Sequence, residues 1–165
     1  WHMGQAYGSA AQDLLIGFPV ENQELAALFY EKAVLTGQSS IARELADRLR
    51  EGKTFEVDNR RALKLYEYAV QQRRKRIITK LPAYLTTMTD IHEHQTKAYA
   101  YALMSYKTYA GLFLSEQQVM SYGVDLSASQ KAQAQQWADD CVGKDFYLCE
   151  IYESNNTLLR MPGKQ

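Results

Sequence analysis

Small and apolar residues recur along this chain at the spacing of one face of an α-helix. The segments NQELAALFYEKAV from Asn22, NRRALKLYEYAV from Asn59 and QTKAYAYALMSY from Gln95 place them at positions i, i+3, i+4 and i+7. That spacing puts the residues on one side of a helix. The pattern therefore predicts three helices, and long stretches without Gly or Pro favour an all-helical fold.

The three segments repeat with a period of 36 residues, which brings Ala26, Ala62 and Ala98 into register. Tyr30 then aligns with Tyr66. The neighbouring positions align in the same way: Phe29 with Leu65 and Tyr101, Glu31 with Glu67, and Ala33 with Ala69 and Ser105. Small residues let two helix backbones approach closely, and aromatic rings fill the gap beside them. The period predicts repeated helical units.

A second helix is predicted before each copy. The segment IARELADRLREG has its apolar residues on one face: Ala42, Leu45, Ala46 and Leu49. Gly52 is the predicted stop of this helix. In the first unit WHMGQAYGSA takes the matching place and is followed by a longer loop at 13–20. Pro82 falls inside the matching helix of the third unit, which we expect to be kinked, split or started late.

The tail is predicted to add a capping helix. Ser127 or Ser129 suits the N-cap of a helix over 130–142, because a hydroxyl oxygen accepts a hydrogen bond from free amides of the first turn. The predicted packing face of this helix is Ala132, Gln136, Trp137 and Cys141.

Cys141 and Cys149 bracket the turn that follows this helix. A helix end followed by a chain reversal brings two such Cα atoms within bridging distance, about 6 Å. In an oxidising compartment the pair then forms a structural disulfide. In a cytosolic protein the same residues are two half-buried thiols. The residues alone leave both interpretations open.

The charge distribution narrows the classes of function. The formal net charge is zero, from 19 basic and 19 acidic residues, which gives no reason to expect nucleic-acid binding. Residues 43–80 hold twelve basic and six acidic residues, whereas residues 116–153 hold two basic and seven acidic ones. Such an asymmetry is suited to orienting a charged partner, and solvated helix faces explain it equally well.

No run of about 20 apolar residues occurs, so the sequence predicts no transmembrane helix. The chain begins at Trp1 within a predicted helix. We therefore expect a preceding segment that carries a signal peptide or a lipoprotein signal.

The sequence carries no recognisable catalytic motif. His92 and His94 form the one histidine cluster, but zinc proteases place two histidines four residues apart on one helix face. Gly-rich phosphate loops, Gly-x-Ser-x-Gly elbows and Cys-x-x-Cys pairs do not occur. Asp139 and Asp140 are adjacent, and adjacent residues on a helix do not face each other. We therefore predict no enzyme activity, no cofactor and no metal site.

The repeat pattern resembles the Sel1-like repeat, a relative of the tetratricopeptide repeat. The segment ARELADRLREGKTFEVDNRRALKLYEYAV carries the resemblance, with a loop from Gly52 to Asp58 followed by Ala-x-x-x-Tyr-x-x-Ala. The tail DLSASQKAQAQQWADDC is similar to the closing helix that often follows the last repeat. The resemblance covers residues 1–72 closely and residues 90–142 loosely.

This resemblance implies an all-α fold in which antiparallel helix pairs stack into an α-solenoid with a capping C-terminal helix. It implies one domain over 1–165, made of repeat one at 1–37, repeat two at 38–72, a degenerate repeat three at 73–110 and a cap at 111–165. The tail also resembles those of bacterial envelope relatives that close with two cysteines. That favours the disulfide, and a periplasmic over a cytoplasmic location.

Two surfaces are candidates for binding a partner. The first helix of each pair in such solenoids lines the concave side. The predicted polar stripe joins residues of that side to the basic run and a nearby tyrosine: Gln5, Arg43, Asp47, Arg50, Arg73, Arg74, Arg76 and Tyr84. A plain solvated face explains any single one of them equally well. The second candidate is the exposed part of the cluster Tyr99, Tyr101, Tyr106 and Tyr109.

The resemblance also suggests a role. Similar bacterial proteins include immunity proteins that neutralise phospholipase toxins of type VI secretion, so the leading hypothesis is a protein that binds one secreted toxin. The alternative is an adaptor or scaffold for cell-wall or secretion enzymes. A third hypothesis, a hydrolase similar to a few cysteine-rich relatives, requires a converging pocket that the sequence does not indicate.

Overall fold

In the computed structural model the chain is described at Tyr7, over 23–72 and over 74–152. These residues form seven α-helices and one 3-10 helix, and no β-strand occurs among them. The all-α class predicted from the sequence is confirmed. The described residues divide into two compact units, with the boundary between Arg74 and Lys75.

The first unit contains three helices: α1 Gln23–Leu35, α2 Ser39–Glu51 and α3 Asn59–Gln71. The second unit begins with a 3-10 helix and continues with four α-helices: Lys75–Thr79, then α4 Leu81–Thr87, α5 His94–Tyr109, α6 Glu116–Tyr122 and α7 Ala128–Gly143.

Helix α2 packs against both α1 and α3. Its predicted apolar face is confirmed, since all four residues are buried: Ala42, Leu45, Ala46 and Leu49. Three of the four have no exposed surface, and they alternate small with large side chains. That alternation lets neighbouring helices interdigitate at close range.

Local signals set both ends of the connection from α2 to α3. Gly52 has a φ of 68° and donates its backbone N–H to the Arg48 carbonyl at 3.1 Å, which ends α2 as predicted. Glycine adopts this left-handed conformation without the steric penalty that a Cβ brings. Asp58 begins α3, because its Oδ1 accepts a hydrogen bond from the Arg61 N–H at 2.9 Å.

Most positions related by the period of 36 lie in the core. Ala26 and Ala62 have no exposed surface, and Ala98 is 1% exposed. Tyr30 and Tyr66 are also fully buried. The last aligned set is buried too: Ala33, Ala69 and Ser105. Phe29 and Glu31 of the first copy are only half-buried, whereas their counterparts are buried. The repeat seen in the sequence is therefore a repeat of core positions for its small residues and for the tyrosine pair.

The third predicted pair has a split first helix, which is one of the three outcomes expected from Pro82. A 3-10 helix ends at Thr79, and α4 restarts at Leu81 with Pro82 in its first turn. Proline is tolerated there because an amide of the first turn has no partner within the helix. The break follows from the missing N–H and the ring of this residue.

Helix α5 is the centre of the second unit, and α4, α6, α7 and the 3-10 helix all pack against it. Ser115 and Ser127 begin α6 and α7 with capping boxes, in which the side-chain oxygens of Gln118 and Gln130 accept a hydrogen bond from the serine N–H. The cap at Ser127 is one of the two predicted. Helix α6 was not predicted.

The predicted packing face of α7 is partly wrong. Ala134, Ala138 and Cys141 are buried, whereas Ala132 and Gln136 are exposed. The correct positions follow an i, i+4, i+7 spacing that ends on the same cysteine. Of the four predicted residues Cys141 is thus buried and Trp137 is half-buried, whereas Ala132 and Gln136 lie towards the opposite side of the helix.

Cys141 and Cys149 form a disulfide, with their Cα atoms 4.9 Å apart. Between them Phe146 is buried, and its carbonyl accepts a hydrogen bond from the Tyr152 hydroxyl at 3.0 Å. Three residues of this loop have the positive φ that favours glycine: Asp145, Phe146 and Leu148. The disulfide and the buried Phe146 side chain together hold a loop that contains these three strained residues.

Candidate protein-interaction surface

The predicted polar stripe on α2 is engaged within the first unit. The Tyr66 hydroxyl donates to Asp47 Oδ1 at 2.6 Å, and Arg50 Nε donates to the same hydroxyl at 3.3 Å. Arg43 Nε lies 4.0 Å from Asp47 Oδ2, with more than half of the arginine side chain exposed. Asp47 and Arg50 therefore link α2 to α3, and Arg43 is the member of this trio that faces solvent most.

The opposite flank of α2 has an equivalent network. The hydroxyl of Tyr30, on α1, donates to Glu44 Oε1 at 2.7 Å. Arg48 donates to the same oxygen at 3.1 Å, and its guanidinium carbon lies 5.7 Å from the centre of the Tyr30 ring. Tyrosines one period apart thus hold a carboxylate on each side of one helix. Burial and the hydrogen bond to the carboxylate raise the pKa of both tyrosines.

We expect the double variant Tyr30→Phe, Tyr66→Phe to lose about 1–2 kcal/mol of unfolding free energy per hydrogen bond at neutral pH. A raised pKa means that the native state favours the protonated phenol. The contribution is therefore complete below the ordinary value of 10.0 and is lost as pH rises above it. Urea unfolding between pH 8 and 11 should show that the free energy of unfolding falls less with rising pH in the double variant than in the wild type. An equal fall in the two proteins would contradict the two hydrogen-bond networks.

The rest of the predicted stripe is dispersed. Gln5 and Arg73 lie outside the described residues. Arg74 Nε donates to Ser39 Oγ at 3.4 Å in the first unit. Tyr84 is half-buried on α4 of the second unit. The described positions of the predicted stripe therefore belong to two different units.

The basic run is also divided by its contacts. Lys75 pairs with Asp145, and its Nζ lies 5.7 Å from the centre of the Phe146 ring. Arg76 takes a different neighbour, since its guanidinium carbon is 5.2 Å from the centre of the Phe113 ring. Adjacent basic residues therefore have different roles in the second unit.

The tyrosine cluster of α5 separates into a buried and an exposed part. Tyr99 and Tyr101 are buried, whereas Tyr106 is 37% exposed and Tyr109 is half-buried. The two groups lie towards opposite ends of the helix. The exposed part is next to the turn that ends α5.

That turn presents further apolar side chains. Ala110 and Gly111 have φ values of 49° and 79°, which reverse the chain after Tyr109. A Cβ on Gly111 would lie 3.2 Å from the Tyr106 ring, so glycine permits this close approach. Leu112 is 76% exposed. The ring of Phe113 meets that of Tyr109 edge to face, with 5.0 Å between their centres.

We name the group Arg76, Tyr106, Tyr109, Leu112 and Phe113 the aromatic–arginine surface. It combines two tyrosines, a phenylalanine in cation–π contact with a guanidinium and a highly exposed leucine within one unit. Tyrosine and arginine are enriched among residues that dominate binding energy at protein interfaces. Sequence reasoning identified the tyrosines and Arg76, but not Leu112 or Phe113.

The histidine pair offers no site of this kind. The His92 side chain is 89% exposed, and its Nδ1 lies 3.7 Å from Glu93 Oε2. Within the described ranges, no group of three or more His, Cys, Asp or Glu side chains is placed to hold a metal ion. No described helix is both long and apolar enough to cross a membrane.

Comparison with known proteins assigns no relative to this chain. No family model matches it, and neither a curated protein nor a solved structure does.

Proposed function

We propose that this chain is a Sel1-like helical-repeat protein that binds another protein and has no enzymatic activity. The aromatic–arginine surface is where the partner docks. The observation that carries the proposal is the grouping of exposed aromatic and aliphatic side chains at the end of α5 with an arginine that lies over one of the rings.

The exposure of this surface supports a docking role. Leu112 is 76% exposed and adjoins Phe113, which is 37% exposed. Burying apolar area against a partner is favourable by about 25 cal/mol per Å². The cation–π contact of Arg76 with Phe113 favours one position of the arginine before binding, so less conformational entropy is lost when a partner arrives.

The buried period of 36 supports the repeat assignment. Ala26 and Ala62 occupy equivalent core positions, and Tyr30 and Tyr66 make equivalent hydrogen bonds to carboxylates of α2. An α-solenoid of antiparallel pairs uses one set of core positions in every unit. A stack of this kind offers a rigid framework for a contact surface.

The biological role that fits this proposal best is that of a bacterial immunity protein. Such a protein neutralises a type VI secretion toxin, of the phospholipase type, by covering it. The Cys141–Cys149 disulfide supports a periplasmic location, because disulfides persist in oxidising compartments. The alternative is an adaptor for cell-wall or secretion enzymes, and a toxin gene beside this gene, with loss of protection on deletion, separates the two.

Site-directed photo-crosslinking tests the docking surface. A benzophenone amino acid replaces Leu112 in one variant of the full chain and Val124 in another, and both variants are expressed in the native host. The two positions are matched, since they are 76% and 71% exposed and lie in the same unit. We expect a discrete adduct with one protein from position 112 and little from position 124.

The experiment has two outcomes that contradict the proposal. No adduct at position 112 would show that this surface has no partner in the cell. Equal adducts at both positions, with a spread of proteins, would show non-specific exposure. Recovery in the adduct of a toxin that is encoded beside this gene would identify the immunity role. Recovery of a cell-wall or secretion enzyme would identify the adaptor role.

A further inference from the structure

We propose that the partner segment that docks on the aromatic–arginine surface carries a carboxylate for Arg76 beside an apolar side chain for Leu112 and Phe113. The occupant is thus an acidic, apolar segment of another protein. This inference rests on the proposed function and specifies the chemistry of its partner.

The first argument concerns the hydrogen-bond donors of the Arg76 guanidinium. Arg76 is exposed, and its guanidinium carbon lies 5.2 Å from the centre of the Phe113 ring. This cation–π contact with a ring engages no oxygen acceptor, so the N–H donors of the guanidinium keep their capacity to bind a carboxylate. No described carboxylate forms an ion pair with Arg76. A carboxylate matches these donors with two parallel hydrogen bonds.

The second argument concerns the neighbouring cations. Lys75 is paired with Asp145, and Lys107, next to Tyr106 on α5, is paired with Asp139. Of these three cations Arg76 alone is without a carboxylate among the described residues. Nucleic acids and anionic membranes are bound by several cations together. One guanidinium among apolar side chains fits one carboxylate better than a polyanion.

The third argument concerns the apolar part of the surface. Leu112 and Phe113 follow each other in the turn, and the Phe113 ring packs on Tyr109. Because the arginine and the leucine both adjoin Phe113, a carboxylate and an apolar side chain close together in a partner segment reach both. Apolar contact around the ion pair excludes water and strengthens it.

A peptide selection tests this chemistry without a known partner. A random displayed peptide library is selected against the full chain, and the enriched peptides are synthesised with each Asp or Glu also replaced by Asn or Gln. We expect enriched peptides to share an acidic residue near Leu, Phe, Trp or Tyr. Their affinity should fall at least about tenfold when the acid is replaced by its amide.

Variants of the chain place the binding on this surface. Arg76→Glu should weaken the acidic peptides at least about tenfold, and Arg76→Lys should weaken them less, because it keeps the charge but loses the planar fork. Lys80→Glu is the matched control: Lys80 is an exposed cation of the same unit that adjoins α4. It should change the affinity little.

Three results overturn the inference: enriched peptides without acidic residues, amide peptides that bind as well as acidic ones, or equal losses for Arg76→Glu and Lys80→Glu. Photo-crosslinking separates these from failure of the proposed function. If the adduct at position 112 persists in Arg76→Glu, the docking surface stands and the carboxylate is excluded. If no adduct forms in the wild-type background, the proposed function itself fails.

Discussion

Replacing Leu45 by alanine should lower the free energy of unfolding by about 2–5 kcal/mol. Leu45 has no exposed surface, and it lies on the face of α2 that packs against α1 and α3. The substitution removes three carbon atoms from between three helices, so it loses both transfer free energy and packing contacts. Urea unfolding followed by far-ultraviolet circular dichroism measures the change.

Leu35→Ala is the matched control. Leu35 is in the same unit and is 48% exposed at the end of α1. The same chemical change there should cost no more than about 0.5–1 kcal/mol, because solvent already reaches the side chain. Equal costs at the two leucines would contradict the assignment of Leu45 to the packing face of α2.

Reducing the Cys141–Cys149 disulfide should lower the free energy of unfolding of the second unit by about 2–3 kcal/mol. The bond closes a loop with a sequence separation of 8, and opening it increases the conformational entropy of the unfolded chain. Opening the bond also allows the three residues with positive φ inside the loop to leave that unfavourable conformation. Thermal unfolding with and without a thiol reductant measures the difference.

The control for this prediction is the double variant Cys141→Ala, Cys149→Ala. Its free energy of unfolding should equal that of the reduced wild type, both with and without the reductant. Wild-type stability that is unaffected by reductant would show that the Phe146 anchor and the Tyr152 hydrogen bond hold the loop without the disulfide.

The fold was predictable where it depends on neighbouring residues. The four core positions of α2, the stop at Gly52 and the cap at Ser127 all follow from spacings of three or four residues and from local hydrogen bonds. The break at Pro82 has the same origin, because it follows from the geometry of one residue. Helix α6 was missed because its seven residues are too few to show a periodicity.

The candidate site was less predictable because it depends on distant residues. Asp47 and Arg50 were expected to face a partner, but Tyr66 engages both from the next helix. Nothing within α2 indicates that pairing. The contact between Arg76 and Phe113 joins residues from a 3-10 helix and from the turn after α5. The periodicity of the sequence indicates neither element, so the contact between Arg76 and Phe113 was visible only in the folded chain.

Crosslinking from position 112 in a Phe113→Ala background tests the central claim most directly. Phe113 contacts both Arg76 and Tyr109, so its loss removes the contacts that hold the surface together, while the crosslinker at the exposed position 112 is retained. The adduct that position 112 gives in the wild-type background should disappear, while folding monitored by circular dichroism is retained. An adduct of undiminished yield in that background would contradict the assignment of this surface to a protein partner.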